Sequence, residues 1–169
     1  MSGLLTARII WIMVVVFCVG FFLPEIRRFS EKHKKFRYLP EMILIAYGVV
    51  YVYLTFLSRS EIDVPYATGI ELRPLSALRR AIRGHSVIPA RGILLNILLY
   101  IPMGYLIPFV FRGMRKRSSA DVILICLLIS ILTEILQLVL KVGWLDADDI
   151  INNTIGAAIG ILIWRSRSR

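Results

Sequence analysis

Residues Gly92 to Phe111 read GILLNILLYIPMGYLIPFVF, twenty positions with no charged side chain and a single amide, Asn96. A helix rising ~1.5 Å per residue covers the ~30 Å hydrocarbon of a bilayer in about twenty such residues. This stretch therefore reads as a membrane-spanning helix. Four more apolar runs lie around it, at roughly Leu4–Leu23, Met42–Leu57, Val122–Leu140 and Ile150–Trp164. The first and fourth are long enough to span unaided. The second and fifth need their flanks or a thinned bilayer. None alternates as a membrane strand would, so the expected fold class is all-α. It is a polytopic membrane helical bundle of about five transmembrane helices, with residues 1–169 forming a single integral membrane domain. The first run ends Phe21-Phe22-Leu23-Pro24 without a small-x-small cleavage site, which favours a retained helix over a signal peptide.

Composition points the same way. The chain has 169 residues, 57% hydrophobic and 19% charged, with a mean hydropathy of +0.73. A soluble domain sits nearer roughly 45–50% apolar and 25% charged. The net charge of +10 would suggest nucleic acid in a soluble chain. Here no reading fold accompanies the basic residues, and nucleic acid is not an expected partner. The charge instead sets topology. Arg27, Arg28, Lys32, Lys34, Lys35 and Arg37 follow the first run; Arg112, Arg115, Lys116 and Arg117 follow the third; Arg165, Arg167 and Arg169 close the chain. All fall on one side, which should be the cytoplasm. The expected placement is multi-pass in the cell membrane, with the N-terminus outside and the C-terminus cytoplasmic. Trp11, Trp144 and Trp164 lie near span ends, where an aromatic belt is expected. Cys18 and Cys126 fall within spans and read as buried thiols rather than a disulfide framework or metal pair.

The 58–91 loop then lies outside, yet it carries Arg59, Arg73, Arg79, Arg80, Arg83 and Arg91 against the charge bias. Residues Arg73 to Gly84 read as a short interfacial helix, with Pro74 at its first position and Gly84 as its stop. Leu75, Leu78 and Ile82 share one side of it. Two readings stand for Arg73, Arg79, Arg80 and Arg83. They anchor the loop at headgroup level, or they capture a phosphate or carboxylate of an anionic ligand.

Polar residues inside spans are costly and therefore informative. Asn96, Glu134, Gln137, Asp149, Asn152 and Asn153 all fall toward the outer leaflet. Glu134 and Gln137 share a stripe that reaches Lys141, a partner for Glu134 if the chain bends. Asp149, Asn152, Asn153, Gly156 and Gly160 share a face of the fifth helix. Its small-xxx-small surface lets a neighbour approach closely and is a contact candidate for a homo-oligomer. Pro102, Gly104 and Pro108 are expected to kink the third span. The simplest assembly is a polar pocket opening outward between the third, fourth and fifth spans. The competing one is a hydrogen-bond network that only holds the bundle together. The acidic turn Asp146-Ala147-Asp148-Asp149 could also salt-bridge the outer arginines and close the loop as a lid.

These same residues resemble a known family. Asn96-Ile97-Leu98-Leu99-Tyr100-Ile101-Pro102-Met103-Gly104 is similar to the Asn-apolar-Pro-x-Gly segment of VanZ-like membrane proteins. Thr133-Glu134-Ile135-Leu136-Gln137 resembles their Glu-x-x-Gln helix, and Asp146 to Gly156 their Asp-x-x-Asp-x-x-x-Asn-x-x-Gly signature. The resemblance covers about residues 70–164. Glu71-Leu72-Arg73-Pro74-Leu75 stands where the family has Asn-x-x-Pro-Phe, departing at the Asn and the Phe. The resemblance implies a cell-envelope membrane protein touching glycopeptide antibiotic of the teicoplanin type or lipid-linked wall precursors.

Three functional classes follow. The leading one is an outward polar pocket for an amphiphilic ligand, with membrane lipids, a lipid-linked cell-wall precursor or a glycopeptide as partners. Glu134, Gln137, Asp146, Asp149, Asn152, Asn153 and Asn96 supply its polar end and Arg73, Arg79, Arg80 and Arg83 its anion attraction. The second is an intramembrane enzyme on a lipid headgroup, with Glu134 or Asp149 as general base or with Asp146, Asp149 and Glu134 around a hard cation. No Ser-His-Asp set, zinc spacing or Gly-rich phosphate loop is present, and no cofactor is implied. The third is an oligomeric transport or assembly subunit.

Overall fold

In a computed structural model the chain is described over residues 38–57, 68–84, 87–111 and 118–167, with isolated positions between 25 and 36. The first apolar run, with Trp11 and Cys18, lies outside the described residues. So do most of the basic residues that set the expected orientation, among them Arg27, Arg28, Lys34, Lys35, Arg37 and Arg112. The elements are α1 (Leu39–Val52, continued by a π-helical turn Tyr53–Leu57), β1 (Ile70–Glu71), α2 (Ser76–Arg83), α3 (Val87–Val110), α4 (Ser119–Val139), β2 (Leu145–Asp146) and α5 (Ala147–Arg167).

Three of these helices are long and apolar enough to cross a membrane: α1 with its π turn, α3 and α4. The second apolar run gains its missing length from Leu39, Pro40 and Glu41, with proline in the first turn, where no N–H is needed. The fifth run forms α5 but is not among the three. Asp148, Asp149, Asn152 and Asn153 occupy its first turns and Arg165 and Arg167 its last, which dilutes its apolar stretch. Of five expected spans, then, the described residues hold three apolar helices and one more polar helix packed against them.

The centre of the bundle is the contact between α3 and α5. A Cβ built on Gly156 would lie 2.1 Å from the Ile97 carbonyl oxygen, and one on Gly160 2.1 Å from that of Ile101. One on Gly104 would lie 2.1 Å from the Ala157 oxygen. Backbones this close meet through Cα–H and carbonyl groups, which only glycine permits. The residue numbers of the paired positions rise together, so α3 and α5 run parallel and α4 returns between them. The Gly156/Gly160 surface is thus filled from within the chain. The expectation that it serves as an oligomer contact is corrected, because its partner is α3.

α3 continues as one helix through Pro102 and Pro108. Proline at 102 has no N–H for the Leu98 carbonyl, and the adjacent Leu99 carbonyl accepts the Tyr47 hydroxyl of α1 at 2.6 Å. Tyr47, Tyr51, Tyr100, Leu106, Cys126, Ala157 and Trp164 belong to the core. Cys126 is a buried free thiol, as its span position suggests. Trp164 is buried in the core rather than placed in a lipid-facing belt.

α4 opens on a capping box, Ser118 accepting from the Ala120 N–H while Asp121 accepts from Ser118. Its other end closes with Val142 N–H donating to Gln137 and Lys141 N–H to Leu138, a Schellman arrangement. Lys141 takes the left-handed position with φ 58° and points to the exterior. It therefore leaves the Glu134 stripe, and the expected Lys141–Glu134 pairing is corrected. A left-handed lysine costs about 1 kcal/mol that glycine would not. Lys141→Gly should raise the thermal midpoint in detergent; a lower midpoint would show that the lysine side chain contributes more than its backbone costs.

Candidate functional site

Asn96, Glu134, Gln137, Asp146, Asp149, Asn152 and Asn153 gather at one end of the bundle. There α1 and α4 finish, α3 and α5 begin, and α2 lies alongside α3. Glu134 is 2% exposed and Gln137 also 2%, on the inner face of α4 with Ser130 and Thr133. Asn152 and Asn153 are buried on the facing side of α5. Asp149 in the first turn of α5 and Asn96 on α3 are half-buried.

The hydrogen bonds bring in a fourth wall that the sequence reading did not assign. α1 runs parallel to α4, so Tyr51 meets Thr133 at 2.7 Å and Tyr100 at 2.7 Å. One turn on, the Thr55 carbonyl accepts the Gln137 amide at 3.1 Å. Carbonyls in a helix's last turn lack internal donors, and Gln137 supplies one from α4. Tyr47, Tyr51 and Thr55 recur every fourth residue. That spacing was the available signal, hidden because tyrosine counts as apolar in a hydropathy reading. On the other side Asn153 donates its amide to the Ser130 hydroxyl at 2.9 Å. The Glu134 carboxylate accepts the Asp146 N–H at 3.0 Å. The candidate site is therefore framed by α1 as well as by α3, α4 and α5.

The approach of α2 to this end is organised by Asp148, which the sequence does not distinguish from the other acids of its turn. Asp148 is 3% exposed. Its carboxylate accepts the Leu75 N–H, the Ala77 N–H at 2.6 Å and the Ser76 hydroxyl at 3.1 Å. These are the orphan donors at the start of α2, so a residue of α5 caps α2 across the fold. The cap also corrects the helix start. Leu75 is held left-handed at φ 62° and α2 begins at Ser76, leaving Pro74 in the preceding turn. Gly84 ends the helix as expected, its N–H donating to Arg80.

Two short strands complete this end. β1 and β2 pair in parallel, Ile70 opposite Leu145 and Glu71 opposite Asp146. Such a two-residue pair carries no sequence period. The Trp144 ring lies over Gly69, where any Cβ would meet it within 2.6 Å. Asp146 donates its N–H to Glu134 and accepts the Asp148 N–H at 2.8 Å on its carboxylate. Burial pushes the Asp146 carboxyl above the usual range; Asp148 and Glu71 add to this, while the Asp148 N–H and Arg80 oppose it.

Among the described residues, Arg73 and Arg79 find partners other than the acidic turn. Arg79 donates to the Pro74 carbonyl at 2.7 Å, and Arg73 faces Glu71 at 3.9 Å on the exterior. Arg80 and Arg83 are exposed on α2. Among the described residues, what ties the acidic turn to the loop is capture of the start of α2 by Asp148. On α2 three faces separate: Ala77 and Ala81 are half-buried, Leu75, Leu78 and Ile82 are exposed at 50%, 43% and 65%, and the arginines take the remaining side. Among the described residues no three acidic, histidine or cysteine side chains converge as a metal site. The reading that put Asp146, Asp149 and Glu134 around a hard cation is therefore not assembled among the described residues.

A family model described as VanZ/LLP1 matches residues 8–168, essentially the whole chain. The chain belongs to the VanZ/LLP1 family. The match reaches beyond the motif-bearing residues 70–164 and takes in α1, whose Tyr51 and Thr55 bond to Thr133 and Gln137 of α4. No curated protein and no solved structure matches the chain. With three helices apolar enough to span, this VanZ-like chain is a membrane protein.

Proposed function

We propose that this VanZ-like membrane protein binds the polar head of an amphiphilic, lipid-linked ligand in an outward-facing site around Glu134, and that this binding contributes to glycopeptide resistance of the teicoplanin type. The observation that carries the reading is the gathering of Glu134, Gln137 and Asn153, all buried, toward the end of the bundle where Asp148 caps an arginine-faced helix whose Leu78 and Ile82 remain exposed. A membrane protein gains nothing in stability from burying three polar side chains where apolar ones would pack. α2 has the three-sided character of a helix lying in the interface, with alanines to protein, leucines to acyl chains and arginines to headgroups. The positive-inside bias supports the outer leaflet for this end, with the C-terminus cytoplasmic and the first apolar run as a further span. Asp146, Asp149, Asn152 and Asn96 form the rim of the site, and Arg73, Arg79, Arg80 and Arg83 attract the anionic part of the ligand.

The test uses full-length protein in phosphatidylcholine nanodiscs, titrated with a teicoplanin-type glycopeptide and with extracted envelope lipids. Glu134→Gln and Asp149→Asn should each weaken binding about tenfold or more, the loss of one charged hydrogen bond. Binding unchanged in both variants would remove the basis for the site.

A further inference from the structure

The side chains of α2 fall into three pairs spaced four residues apart: Ala77 with Ala81, Leu78 with Ile82, and Arg79 with Arg83. The alanines are half-buried, Leu78 and Ile82 are exposed at 43% and 65%, and both arginines are exposed. With 3.6 residues to a turn, each pair lies ~100° around the helix from the one before. The Arg79/Arg83 stripe therefore adjoins the Leu78/Ile82 stripe on the side away from the alanines. Arg80 falls in the remaining arc, between the arginine stripe and the alanines, and from there it helps keep the Asp146 carboxyl charged. One arginine thus serves the protein and two stand beside its exposed apolar stripe.

The chain itself fixes the level at which this surface lies. Only residues 84–86 separate α2 from α3, whose spanning stretch starts at Ala90. α2 is therefore held where headgroups meet water, with Leu78 and Ile82 able to reach acyl chains. The half-exposed Trp144 ring lies over Gly69 at the same end of the bundle, a suitable interfacial anchor. The start of α2 is fixed through its backbone by Asp148, so the cap uses none of the arginine side chains. Arg79 gives one nitrogen to the Pro74 carbonyl and keeps further N–H donors. The helix carries no acid of its own. A zwitterionic headgroup would bring a phosphate together with its own cation and leave the arginine charge unbalanced. A net-negative headgroup balances it. An acidic soluble partner would have to compete with lipid for the leucine stripe.

We infer that the Leu78/Ile82 and Arg79/Arg83 stripes of α2 form a docking surface for anionic phospholipid in the leaflet on which the helix lies. The two arginines hold the phosphodiesters of net-negative headgroups, and the leucine and isoleucine enter the adjoining acyl region. This goes beyond the reading of Glu134 and holds whether or not a ligand reaches that residue.

The experiment places full-length protein in nanodiscs of equal phosphatidylglycerol and phosphatidylcholine and weighs the retained lipid by native mass spectrometry. The glycerol lipid should be retained in excess. Arg79→Gln and Arg83→Gln should each cut the ratio about fivefold at low salt, while Arg80→Gln leaves it unchanged. A ratio unmoved by the first two variants, or lowered as far by Arg80→Gln, would overturn the assignment. The wild-type protein gives a second measurement that no folding defect can blur. Trypsin should cut α2 about fivefold more slowly in nanodiscs containing phosphatidylglycerol than in phosphatidylcholine alone. Equal cleavage in the two would overturn the docking surface. Protection by polyglutamate in phosphatidylcholine nanodiscs, without protection by phosphatidylglycerol, would overturn it in favour of an acidic soluble partner.

Discussion

Alanine at Gly156 is expected to cost this bundle about 3 kcal/mol or more, although alanine is the better helix former. The methyl group would arrive 2.1 Å from the Ile97 carbonyl oxygen. That oxygen belongs to a helix backbone and cannot swing aside as a side chain could. Gly160 against Ile101 and Gly104 against Ala157 repeat the geometry, so Gly160→Ala and Gly104→Ala should behave alike. Relief requires α3 and α5 to move apart. Gly48 on α1 and Gly92 on α3 provide the internal control, because nothing lies within 4 Å of a Cβ at either. There the same substitution should be neutral or stabilising by up to about 1 kcal/mol. Thermal unfolding in detergent would separate the two groups. Equal effects at Gly156 and Gly48 would mean that the close backbone contact is not what holds α3 to α5.

Asp148→Ala should release α2 without unfolding the rest of the bundle. The carboxylate accepts two N–H groups and a hydroxyl at the start of an eight-residue helix that has no cap of its own. A helix that short does not persist in water unaided. The loss is about 2–3 kcal/mol, charged hydrogen bonds being stronger than neutral ones. Limited trypsin digestion reads the outcome directly, since Arg79, Arg80 and Arg83 all lie on α2. Cleavage there should accelerate by an order of magnitude or more while α3 to α5 stay intact. Asp148→Asn should fall between, since its amide oxygen can still accept but its NH2 meets another donor. Unchanged proteolysis in Asp148→Ala would show that α2 is held by its alanine face instead.

Three of the five expected spans and the gathering of polar residues toward one end were legible in the sequence because both depend on local pattern. A charge-free twenty-residue run has one physical solution in a bilayer, and Glu134 and Gln137 stand out within theirs. What faces what was less legible. The glycine face of α5 announced a close neighbour, but only the three-dimensional arrangement says that the neighbour is α3 of the same chain. Lys141 lay on the right stripe for Glu134 until the helix ended two residues earlier. Asp148 could not be told from Asp146 and Asp149, because its partners are backbone groups more than seventy residues away. Tyr51 and Thr55 were masked by an apolar run in which hydroxyls carry little weight.

The parallel contact of α3 with α5 also bears on how the protein is made. Parallel neighbours cannot be joined by a tight turn, so α3 enters the bilayer well before the helix that fits it. Until α5 emerges from the ribosome, Gly104 faces lipid or a temporary escort, and neither Asp148 nor the Asp146 N–H is available to α2 or Glu134. The half-built protein thus has α1, α3 and α4 in the membrane with the glycine face of α3 not yet covered by α5. Synthesis of α5 supplies the α3 contact and the cap of α2 together, so a nascent chain stalled before Ala147 has neither.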